Sequence, residues 1–219
     1  MKQIINDIVK EAKWVKAIEF ASEDAMQSYL HEHPNANPKN HSVKQNFKKK
    51  IEEKKNDIQQ KKTENFKNWF GDWEHDSKSS SKIVNEKGEP LVVYHGTSAK
   101  DFSKFEHTKG ESKNEVSGFY FSNNPSFANA YSSEEHGRIY PVYLSIKNPA
   151  TGKDVQEALR DGVKMKNMSD FLQNKGFDGI YDKPTDIIVA FSPNQIKSAI
   201  GNKGTFSPEN KNINSSITR

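Results

Sequence analysis

His95 and Gly96 follow an apolar run, Leu91–Tyr94, and Tyr120 and Tyr131 come later in the chain, eleven positions apart. Together these residues could hold a flat, charged heterocycle attached to a sugar. A histidine can hydrogen-bond sugar hydroxyls. A glycine beside it can offer its backbone N–H and C=O to a planar amide without a Cβ in the way. Two tyrosines can sandwich the ring. If the bond between ring and sugar breaks, positive charge develops on the sugar, and positioning and electrostatics supply most of the catalysis. A carboxylate is the usual partner for that charge.

Taken singly, each residue has an ordinary explanation. His95 could be a half-exposed histidine at a glycine turn, Tyr120 an alternating strand residue, and Tyr131 part of a helix face in the core. Their order carries more. His95-Gly96-Thr97 follows an apolar strand, Gly118-Phe119-Tyr120-Phe121-Ser122 comes next, and Ala128-Asn129-Ala130-Tyr131 follows. This succession resembles the His–Tyr–Glu branch of the ADP-ribosyltransferases, which includes poly(ADP-ribose) polymerases and diphtheria toxin. The close of the region, Phe191-Ser192-Pro193-Asn194-Gln195-Ile196-Lys197-Ser198-Ala199, is similar to the ADP-ribosyltransferase-like domains of phage and prophage polyvalent proteins.

The resemblance covers roughly residues 83–206. It implies that His95 holds the adenosine-side ribose of NAD and that Gly96 clamps the carboxamide, with Thr97 beside them. It also implies that Tyr120 and Tyr131 stack on nicotinamide. The family places a glutamate at the start of a late strand, but here Asp186 leads into Ile187–Phe191. Asp186 and Gln195 are the two candidates for that catalytic position. The expected activity is transfer of ADP-ribose from NAD to RNA or protein, without a metal, by a phage, prophage or toxin-system component with a possible antitoxin. A catalytically inactive NAD- or ADP-ribose-binding module and a basic nucleic-acid-binding protein are the alternatives.

The elements that would position these residues follow from periodicity. Strand-like runs at 83–84, 91–94, 119–121, 139–146 and 187–191 are separated by turns, and residues 126–132 and 155–176 fit helices. No Gly-x-Gly-x-x-Gly follows a strand. The expected class is α+β, a split and mostly antiparallel sheet core over residues 66–206. Phe66, Trp69, Phe70 and Trp73 form an aromatic cluster at helical spacing.

Residues 1–65 form a helical, lysine-rich extension, with helices expected at about 2–20, 22–30 and 43–66. Between Val43 and Lys67, nine lysines (44, 48, 49, 50, 54, 55, 61, 62 and 67) face four acids (Glu52, Glu53, Asp57 and Glu64). Such a face is usually solvated, but it also suits an acidic partner or nucleic acid. His31, His33 and His41 lie in a Pro/Asn-rich turn that reads as solvated rather than metal-binding. The Asn/Ser-rich residues 207–219 read as a flexible tail.

Composition sets outer limits. The 219 residues contain no cysteine, which rules out disulfides, thiolate metal sites and cysteine nucleophiles and suits a reducing cytoplasm. No apolar run approaches the ~20 residues of a membrane span, and Met1–Asp7 lacks the apolar stretch of a secretory signal. A net charge of +4 permits an acidic partner without requiring one.

Overall fold

Alternating burial defines the first strands around the site. Phe119 and Phe121 are buried and Tyr120 between them is exposed, as a strand with one dry face requires. In the computed structural model, residues 60–99, 102–106, 114–132, 137–202 and 206–214 are described. The helices expected within 1–59, and His31, His33 and His41, lie outside the described residues. The chain divides into two units, Met1–Gln59 and Gln60–Arg219, and the description below concerns the second.

Among the described residues, seven strands form two sheets. β1 (Val93–Thr97), β3 (Arg138–Leu144) and β7 (Ile196–Ser198) make an antiparallel sheet in the order β1-β3-β7. The second sheet has the order β2-β6-β5-β4, from Phe119–Phe121, Ile187–Ala190, Gly179–Asp182 and Pro149–Ala150. Its pairs are antiparallel except β4 with β5. An antiparallel bridge, Tyr94 to Ser122, joins the two sheets, with N···O distances of 2.8 and 3.1 Å. The helices are α1 (Glu64–Phe70), α2 (Pro125–Asn129), α3 (Gly152–Arg160) and α4 (Met168–Asn174). The architecture is α+β with mostly antiparallel strands, as the sequence predicts.

The main core draws on both sheets. Val93, Val142, Leu144 and Ile196 of one meet Phe119, Phe121, Ile188 and Ala190 of the other. The opposite face of β6 is also dry: Val189 packs with Ile180 of β5, Ala158 of α3, and Met168 and Leu172 of α4. β6 is thus covered on both faces, which explains its unbroken apolar run. A third cluster forms where α1 docks. Thr63 caps that helix, its Oγ1 accepting from the Phe66 N–H at 3.2 Å. Phe66 then packs edge-on against Tyr143 and Phe206, with ring centroids 5.3 and 4.9 Å away.

Some boundaries differ from those the sequence predicts. β1 runs to Thr97, so His95 and Gly96 lie within the strand, opposite Tyr140 and Ile139. Pairing with β3 carries the strand past the glycine. The expected helix 155–176 is two helices, separated after a turn in which Gly162 takes φ 87°. β4, β5 and β7 are short strands that only their sheet neighbours define.

The segment expected as a flexible tail is docked as far as 214. Ile213 is buried, its N–H donates to the Ser103 carbonyl at 2.8 Å, and its carbonyl accepts from Ser198 N at 3.0 Å. The Lys197 ammonium donates to the Asn210 and Asn212 carbonyls. Composition marks the segment as polar, but one isoleucine and a row of backbone groups suffice to hold it.

Candidate active site

His95, Gly96, Tyr120 and Tyr131 line one cavity of about 370 Å³. Tyr94, Glu115, Phe121, Ser122, Phe127, Ala128 and Ile187 complete its wall. The cavity sits at the seam where β1 and β2 bridge, with α2 across it. Its volume lies within the range of about 300–1,000 Å³ typical of small-molecule sites.

His95 is held in one protonation form. Its Nδ1 lies 2.8 Å from the Tyr120 carbonyl oxygen. A carbonyl can only accept, so Nδ1 carries the hydrogen and donates. Burial pushes the imidazole pKa below the ordinary histidine value, against the opposing pull of that carbonyl. The ring is therefore neutral at pH 7, and Nε2 keeps its lone pair to accept from a hydroxyl. Phe105 and Phe121 fix the ring plane, their centroids 5.0 and 5.5 Å away.

Gly96 has a packing role that the sequence does not show. A Cβ built on it would lie 1.6 Å from the Ala128 carbonyl oxygen, so the backbone of α2 rests directly on β1. The absent side chain lets the helix in, whatever else it admits. α2 starts sharply because Asn124 caps it, Oδ1 accepting from Ser126 N at 2.9 Å, and Pro125 opens the first turn.

The two tyrosines differ. Tyr120 is 38% exposed, and its hydroxyl donates to the Val116 carbonyl at 2.9 Å, closing the turn that leads into β2. Gly118 makes that turn at φ 155°, pressed against Val189 and the Ala190 carbonyl. Tyr131 is 62% exposed, which rules out a core role, and stands edge-on to Phe127 with centroids 5.6 Å apart. Phe127 thus adds a third aromatic wall that sequence reading did not single out.

Three of the expected site residues do not line the cavity. Thr97 pairs opposite Arg138, and its Oγ1 accepts from Ala99 N at 3.1 Å in the following turn. The Asp186 carboxylate points to the loop after β2, where Oδ2 accepts from Ser122 Oγ at 2.6 Å and from Asn123 N at 2.9 Å. It adopts a left-handed φ of 57°, which aspartate tolerates better than most residues. Gln195 is fully occupied. Its Oε1 accepts from Phe191 N and Ser192 N at 3.0 and 2.8 Å, and its Nε2 donates to Ser145 and Asp178 carbonyls at 3.2 and 2.7 Å. A primary amide has two donors and two lone pairs, so nothing remains for a ligand. At the start of the late strand it is Ile187 that faces the cavity.

A family model described as ADP-ribosyltransferase in polyvalent proteins matches residues 85–206, more than half of the chain. The chain belongs to this family. The matched stretch contains β1 through β7 and every residue lining the cavity, while α1 and residues 207–214 lie outside it. No curated protein and no solved structure matches the chain. The domain is thus an ADP-ribosyltransferase domain, a transferase fold whose aromatic cavity coincides with the motifs that suggested it. Among the described residues, no helix is long and apolar enough to cross a membrane.

Of the residues sequence reading missed, Tyr94 and Phe127 belong to motifs already in view, and their spacing to His95 and Tyr131 could have flagged them. Glu115 had no such signal. It precedes a glycine turn in an unremarkable polar stretch, and only the fold brings it to the wall.

Proposed function

We propose that this domain is an NAD-dependent ADP-ribosyltransferase that breaks the bond between nicotinamide and ribose and passes ADP-ribose to a macromolecule, RNA or protein. The observation that carries this reading is the convergence of His95, Tyr120 and Tyr131, from three separate elements, on one aromatic cavity. The residues fit the donor. Neutral His95 can accept from a ribose hydroxyl through Nε2. Tyr120, Phe127 and Tyr131 offer ring faces to nicotinamide, and the backbone of β1 at Gly96 offers an amide partner to the carboxamide. NAD supplies an activated pyridinium leaving group when bound. The protein's share is to bind, orient and exclude water.

The lysine-rich residues 43–67 favour an RNA target or surface. A role in the cytoplasm as a phage, prophage or toxin component, with a neutralising partner, fits the family. The test is to incubate the full chain with NAD labelled in its adenylate part and a cell lysate, then treat with protease or nuclease. Label released by one treatment alone identifies the acceptor class.

A second reading rests on a specific observation: neither Asp186 nor Gln195 lines the cavity, and the strand position facing it is Ile187. An inactive module that holds NAD or ADP-ribose would have the same aromatic walls. It predicts binding by calorimetry with no nicotinamide release. A plain nucleic-acid-binding role predicts instead that His95→Ala changes nothing.

A further inference from the structure

We infer that Glu115, in the turn before β2, supplies the carboxylate that supports the reacting ribose. The inference rests on the NAD-cleaving reading above. Departure of nicotinamide leaves positive charge on the ribose, and a carboxylate at the wall offsets it. Neither Asp186 nor Gln195, the two groups expected from the late strand, lines the cavity. Asp186 braces Ser122 and Asn123, Gln195 is saturated by four backbone groups, and Ile187 is aliphatic. Among the described residues lining the cavity, Glu115 is the one carboxylate. It shares that wall with His95 and Tyr120, the residues assigned to ribose and nicotinamide.

Its placement is built in. The neighbouring Val116 is buried, packed in the cluster that holds Val189 and Phe191 of the late-strand region. The Tyr120 hydroxyl donates to the Val116 carbonyl, and Gly118 turns the chain tightly against β6. Glu115 is exposed on a short segment anchored one residue away, so the loop is tied at the point where Glu115 joins the cavity wall. The Tyr120 clasp therefore does two jobs: it presents its own ring and fixes the strand entrance that carries Glu115.

With water as acceptor the step balances simply. The ribose–nicotinamide C–N bond breaks, and its electron pair leaves on the nicotinamide nitrogen, which becomes neutral. A water oxygen forms the new bond to the ribose carbon, and its proton passes to solvent. Glu115 takes no proton in this balance and acts on the charge that develops between these events.

The experiment measures NAD affinity by calorimetry and nicotinamide release by chromatography for the full chain and for Glu115→Gln and Glu115→Asp. The expected result is release slowed about 10²-fold or more in Glu115→Gln, with NAD affinity within about threefold of the parent because charge support acts mainly in the transition state. Glu115→Asp should recover part of the rate. Retained affinity also shows that Glu115→Gln is folded. Normal release by Glu115→Gln overturns this assignment and leaves the proposed function standing. Equal loss of affinity and rate overturns it too, since that marks a binding contact. A parent protein that binds NAD without releasing nicotinamide, or does not bind it, overturns both readings.

Discussion

The two halves of the domain use their polar and aromatic motif residues in opposite ways. In the first half, β1, β2, α2 and the turn after α2 send His95, Tyr120, Phe127 and Tyr131 to the cavity wall. In the second half, β6, β7 and the segments around them spend theirs on the scaffold. Asp186 braces a loop, Gln195 joins four backbone groups, and Lys197 holds two carbonyls of the docked C-terminal segment. Residue type alone does not separate these roles. A side chain whose donors and acceptors are all satisfied by backbone has no capacity left for a substrate, and one that shows a ring face to a cavity does.

The sharpest test lies on the boundary between the two roles, at Gly96. Its Cβ position falls 1.6 Å from the Ala128 carbonyl oxygen, a contact with backbone that no rotamer relieves. Gly96→Val, and even Gly96→Ala, should therefore destabilise the protein by about 3 kcal/mol or more, seen in a thermal or urea melt. NAD binding should fall with it as α2 lifts away. If Gly96→Ala melts like the parent while binding is lost, the glycine serves the ligand rather than the helix.

Gln195→Ala comes next. It removes two acceptor and two donor contacts to half-buried backbone, and should cost about 2–4 kcal/mol. Nicotinamide release per folded molecule, measured well below the new melting temperature, should stay near the parent's. His95→Ala should do the reverse, weakening NAD binding with a smaller effect on the melt. A Gln195→Ala protein that is stable but inactive would move Gln195 to the other side of the comparison.

The tyrosines divide more finely. Tyr131→Ala should weaken NAD binding by about 1–3 kcal/mol, the scale of aromatic–base stacking, and leave the melt unchanged because the ring is 62% exposed. Tyr131→Phe should be mild. Tyr120→Phe keeps the ring but loses the bond to the Val116 carbonyl. It should lower nicotinamide release more than NAD affinity if that clasp positions Glu115. Calorimetry and release assays on the three variants separate stacking from positioning.

How much of this was legible in the sequence follows the same division. The α+β class and the β2 strand could be read from alternation, and the convergence of His95, Gly96, Tyr120 and Tyr131 was implied by the family resemblance that their motif order carries. β2 is legible because one face is dry and the other is not. The motif order is legible because it lies in one compact stretch. Asp186 and Gln195 do not line the cavity, and in sequence a polar residue beside a late strand looks the same whether it meets a ligand or distant groups of the scaffold. Its partners, Ser122 for one and Ser145 and Asp178 for the other, lie 17 to 64 positions away. Glu115 was missed for the converse reason, since nothing local distinguishes an exposed glutamate that faces a cavity. The docked segment 206–214 was hidden by composition. Its hold comes from Phe206, Ile213 and Lys197 on β7, and the polar composition between them conceals these anchors.

The smallest effect tests the scaffold side through that lysine. Lys197 is fully buried, and burial pushes its ammonium down to about 8. Unfolded, it titrates near the ordinary value of about 10.4. Between these values the unfolded chain binds more protons than the folded one, so stability rises with pH. Below pH 8 both states are charged and the cost of burying the charge is fully present. The carbonyls of Asn210 and Asn212 offset part of that cost. Lys197→Met should remove both the cost and the two contacts, leaving neutral-pH stability changed by about 1 kcal/mol in either direction. It should also flatten the wild-type gain in urea midpoint between pH 8 and 10, and expose residues 206–214 to limited proteolysis. A variant that keeps the pH-dependent gain would show that another group titrates there. A variant whose C-terminal segment stays protected would show that Phe206, Ile213 and the backbone contacts hold it without Lys197.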